Sequence, residues 1–153
     1  MKLTSTARLR LVTLATAFIL TAGIGTFLAE ASYRDAISNV DLTINGTIVD
    51  AESSPSQELS AALFHIDEYS LDLSLYLISR DGSATTINEA TSPFLHSITL
   101  KEAASATSEV KSSRGPSHFR FRALEISGGD FLVVAASSDK AHEDLRSNLI
   151  SVL

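Results

Sequence analysis

Arg80, Arg120 and Arg122 are the side chains in this sequence best suited to grip a ligand. A guanidinium presents a planar fork of donors that matches a carboxylate or phosphate, so three converging would make an anion site. The plainer expectation is that Arg120 and Arg122, alternating with Phe119 and Phe121, sit on the wet side of a strand. Other groupings support less. His65, His96 and His118 fall on a predicted helix, a loop and a strand edge, without a second ligand at metal-binding spacing. His65 and Asp67, two apart, would face different sides of a helix. Ser83, Thr85, Thr86 and Ser92 have no His–carboxylate relay to activate them. Gly128-Gly129-Asp130 leads into a strand, whereas a phosphate cradle opens a helix. The chain has no cysteine, which removes thiolate metal sites, disulfides and thiol catalysis together. The expectation is a chain with no catalytic residue, no metal site and no cofactor.

The elements that would carry these residues begin with an apolar run. Leu11 to Ala29 holds no charge, and nineteen helical residues span about 30 Å, the thickness of a bilayer's hydrocarbon core. Lys2, Arg8 and Arg10 precede it, while Glu30, Arg34 and Asp35 follow. The positive-inside bias then places residues 1–10 in the cytoplasm and residues 30–138 outside. A cleaved signal peptide is the rival reading, since Ala29-Glu30-Ala31 fits the small-x-small pattern. The run is longer than the roughly 7–15 residues of a signal core, which favours retention. The net charge of −6 argues against nucleic acid, because phosphate binding needs clustered Lys and Arg.

Tyr33, Ile37, Val40, Ile44 and Ile48 recur at helical spacing, a narrow stripe suited either to the domain's own core or to a twin helix in a homodimer. Gly46 weakens that helix, and a break is expected at Asp50–Ser54. Ser54, Pro55 and Gln57 then read as the cap of a second helix with Leu59, Ala62, Leu63 and Ile66 on its buried face. Leu71, Leu73, Leu75 and Leu77 alternate with Asp72, Ser74 and Tyr76, which makes a strand. Asp81-Gly82 is a strong hairpin signal, returning through residues 84–87. A crossover with a short helix near Leu100–Ala106 follows. The next strand is 118–126, with a bulge expected near Ala123 where the phase slips. Phe131–Ala136 is continuously apolar, as in a central strand covered on both faces. A last helix, 139–153, carries Ala141, Leu145, Leu149 and Val152 on one side and heads toward a truncated second membrane span. The fold class is α+β: about four strands in a mixed or antiparallel sheet, backed by helices.

Leu75-Tyr-Leu-Ile-Ser-Arg-Asp-Gly82, Phe119-Arg-Phe-Arg-Ala-Leu124, Gly128-Gly-Asp-Phe-Leu-Val-Val-Ala-Ala-Ser-Ser-Asp139 and Leu145-Arg-Ser-Asn-Leu149 together carry a resemblance. The pattern resembles the input region of bacterial membrane-bound sensor histidine kinases, whose outer domains are PAS-like. That resemblance implies an extracytoplasmic sensor in the cell membrane, dimeric through its membrane-proximal helices and responding to a small molecule or an envelope stimulus. The family's kinase module does not lie within these residues. Ala141-His-Glu-Asp-Leu-Arg superficially matches the family's phosphoacceptor box, but Asp144 is interposed, the usual Pro is absent, and the site would precede the second span. His142 is expected to be a solvated helix residue. The alternatives are a stand-alone tethered binding or scaffold domain, and an exported soluble protein whose signal has been removed.

Overall fold

The computed structural model describes residues 5–53, 73–87, 98–113, 118–126 and 128–152. The second predicted helix with His65, the segment around His96, and Leu71 lie outside them. The chain divides into two compact units, Ile37–Lys140 and Met1–Ala36 with Ala141–Leu153.

Helix α1 runs Ser5–Ser53 without interruption, through Gly46 and through the break expected at Asp50. Gly46 has open space around it, so its cost is the modest one of backbone entropy and packing elsewhere overrides it. In the first unit α1 holds the apolar run, with Leu11, Leu14, Phe18, Ile24 and Phe27 exposed. This is the one described helix long and apolar enough to cross a membrane. Its threonines suit hydrocarbon: the hydroxyls of Thr13, Thr16, Thr21 and Thr26 each donate to the carbonyl four residues earlier, at 2.8–3.0 Å. The same unit contains helix α3, Asp139–Val152, from Ala141 onward. There the Tyr33 hydroxyl lies 3.3 Å from His142 Nε2, with ring centroids 5.1 Å apart. His142 is thus packed on an aromatic ring and is not simply solvated.

The second unit is an antiparallel sheet of β1 (Leu73–Ile78), β2 (Ala84–Thr86), β3 (Lys111–Ser112), β4 (Phe119–Ile126) and β5 (Asp130–Ser137), in the order β2-β1-β5-β4-β3. The five described strands agree with the expected antiparallel sheet of about four; the two-residue β3 is too short to show a period in the sequence. Helix α2, Leu100–Ser105, is capped by Thr99, whose hydroxyl accepts from Glu102 N while Glu102 reaches back to Thr99 N. This Thr-x-x-Glu capping box was readable in the sequence. The central pair, β1 and β5, are the first and last strands, and β5 is buried from Phe131 to Ala136. That agrees with its unbroken apolar run.

No bulge occurs in β4: its pairing with β5 is continuous from Phe119↔Ser137 to Ile126↔Asp130. Leu132, Val134, Ala136, Leu73 and Leu75 pack with Ile44, Ile48 and Ala51 of α1 on one face of the sheet. Phe131, Val133, Ala135, Tyr76, Phe119 and Phe121 form the other core with Ala103 and Ala106. Two turns need glycine. Gly82 has φ +85°, and Gly128 and Gly129 have φ +99° and +82°, values that side chains with a Cβ resist.

Candidate functional site

The three arginines do not form one site. Arg80 stands at the end of β1, where its backbone N–H donates to Asp130 Oδ1 at 2.9 Å and its side chain lies over Gly129. Arg120 and Arg122 are neighbours on β4, and both turn toward α1. Arg120 makes a two-pronged pair with Asp41, its Nε donating to Oδ1 at 2.7 Å and its Nη2 to Oδ2. Its Nη1 donates to Ser112 Oγ at 2.7 Å. Arg122 donates to Asn45 Oδ1 at 2.9 Å and to the Thr107 carbonyl at 3.3 Å, and lies 4.0 Å from Glu52. The Arg120 and Arg122 side chains are only 19% and 16% exposed. The wet-face expectation for these two arginines gives way to a helix clamp. The match is geometric: two residues apart on a strand and four apart on a helix both span about 6–7 Å. Asp41 and Asn45 beside the apolar stripe, facing an Arg-x-Arg strand, were the signal.

The opposite face of the sheet is the better place for a ligand. Tyr76 sits there with no exposure, between Val133 and Thr86 in the register. Its hydroxyl has no hydrogen-bond partner among the described residues. Burial pushes its phenol pKa well above the ordinary value, so it stays neutral. A buried hydroxyl left unsatisfied costs about 1–3 kcal/mol, so it calls for a physical reason. The alternation of β1 placed Tyr76 opposite the leucines correctly, but not its burial. Toward the other edge of this face, α2 and β3 border a half-open groove of about 500 Å³.

His118 lies at the start of β4, where its backbone N–H donates to Asp139 Oδ1 at 2.8 Å and its ring Nδ1 is 3.3 Å away. The backbone bond, then the ring contact and Ser137, hold the Asp139 pKa below the usual carboxylate range. Among the described residues no three His, Asp or Glu side chains gather as a metal set would require.

No protein-family model and no curated protein matches the sequence. A solved structure does match: the ligand-binding domain of the Campylobacter jejuni chemoreceptor Tlp3, in complex with 4-methylisoleucine. The TM-score is 0.57 at 14% identity, over 83% of this chain. The two share a fold. At this identity the likeness concerns the backbone and not the ligand. The chain spans 62% of that chain, less than two thirds of its length.

Proposed function

We propose that this chain is the input region of a membrane-bound bacterial receptor, with residues 30–138 outside the cell and a small molecule received on the Tyr76 face of the sheet. The observation that carries it is the shared fold with a chemoreceptor ligand-binding domain, on a chain whose N-terminal helix can cross a bilayer. The Tyr76 hydroxyl supports the choice of face, because it has no partner among the described residues and a ligand could supply one. The clamped half of α1 and the apolar run belong to one unbroken helix. A shift of the sheet on binding would therefore be felt first through Arg120 and Arg122. In the finer form of this reading the chain feeds a two-component sensor histidine kinase and dimerises through its membrane-proximal helices. The role is binding rather than catalysis.

The test is the melting of the full chain in nanodiscs against a panel of amino acids and nucleosides. A ligand at a hundred times its Kd would stabilise by about 2.7 kcal/mol. The expected result is a saturable upward shift for at least one compound, lost in Tyr76→Phe. A panel without any saturable shift counts against the reading.

A further inference from the structure

Lys101 and Ser105 on α2, Thr99 at its cap, Lys111 and Ser112 on β3 and Phe121 on β4 border the groove of about 500 Å³. That size suits a small molecule. We propose that the groove binds a small soluble anion of the carboxylate or phosphate type, held between the Lys101 and Lys111 ammonium groups. The inference goes beyond the receptor reading, because the groove lies at the β3 edge of the sheet and is not lined by Tyr76. It rests on that reading only for the consequence that the anion is a stimulus.

The chain is acidic overall, with a net charge of −6, and its only lysines are Lys2, Lys101, Lys111 and Lys140. Two of these four border one groove, against the general charge of the protein. Neither is consumed by a partner. Lys101 is exposed and makes no ion pair among the described residues. Lys111 meets Glu109 at 3.8 Å, and that glutamate side chain is 71% exposed; such surface pairs hold weakly.

The acid on the rim is occupied. Glu102 also borders the groove, but its carboxylate receives the Thr99 N–H and hydroxyl, both at 2.9 Å. Ser112 borders the groove as well, but its hydroxyl is held by Arg120 Nη1 at 2.7 Å on the α1 side of the sheet. Phe121 lies directly across the strand pair from Lys111, giving the lysine's methylene stem an apolar wall. The choice of an anion rests on the two ammonium groups: Lys101 has no ion pair among the described residues, Lys111 has only the long, exposed contact to Glu109, and the Glu102 carboxylate is drawn back onto the helix cap.

The experiment follows amide signals of the isotope-labelled full chain in nanodiscs of uncharged phosphatidylcholine at low ionic strength. The probes are inorganic phosphate and citrate. The expected result is a saturable shift centred on Lys101, Ser105, Lys111 and Ser112. Lys101→Ala and Lys111→Ala should each weaken binding about tenfold, or 1.4 kcal/mol. Lys111→Arg should retain binding, and Lys140→Ala, outside the groove, should leave it unchanged. No saturable shift with either anion overturns the proposal. So do shifts that persist when both groove lysines are alanine and the spectrum shows the chain folded. If these anions fail while an amino acid or nucleoside still raises the melting temperature, the receptor reading stands and only the anion assignment falls.

Discussion

The Arg120–Asp41 pair sits where an ion pair has consequences. Its side chains are 19% and 26% exposed, so water screens the pair less than it would a surface bridge. Removing Arg120 would leave Asp41 beside the sheet without its cation. Arg120→Ala should therefore lower stability by roughly 1–3 kcal/mol, between the ranges for exposed and buried pairs. In a double-mutant cycle with Asp41→Ala, urea unfolding followed by circular dichroism should show clear coupling. Strictly additive losses would mean the two side chains are neighbours without interacting. Tyr76 is the complementary case. Its burial was not legible from alternation, which reports which face a side chain takes but not what covers that face.

At the scale of elements, the misreadings share one cause. The residue types of β4 change phase at Ala123 because Arg120 and Arg122 occupy the same face as Leu124 and Ile126. That face is polar where it meets Asp41 and Asn45, and apolar where it joins the core under α1. With the other face also buried, period two is present in the backbone but hidden in the residue types. Helix α1 shows the converse. Gly46 and the β-branched residues argued for an end, yet Ile44 and Ile48, both fully buried, hold the helix on the sheet. Gly46 remains a local weakness with room beside it. Gly46→Ala should raise stability by about 0.5–1 kcal/mol, since it restricts the unfolded chain and meets nothing. A lower melting temperature would show that the helix does not run intact through this position.

For the whole molecule, the membrane arrangement is the step on which function turns. The chain contains no cysteine, so a single introduced thiol reports its own position without background. Thr85 is exposed on β2, and Ser5 is exposed at the start of α1. A membrane-impermeant maleimide applied to spheroplasts should label Thr85→Cys, while Ser5→Cys should label only after lysis. The reverse pattern would put the sheet in the cytoplasm and remove the receptor reading.

The amino-acid sequence by itself determined the elements whose signal is local. The uncharged run of one bilayer's thickness, the Asp81-Gly82 turn, the alternation of β1 and the doubly buried β5 all follow from side-chain periodicity and backbone sterics. Only the tertiary structure decided which elements face each other. It made β1 and β5 partners across more than fifty residues, set Arg120 and Arg122 against α1, enclosed Tyr76, and brought Lys101 and Lys111 to one groove. Those outcomes depend on contacts between residues far apart in the chain. A period in one segment constrains which side is apolar but not which other segment will cover it.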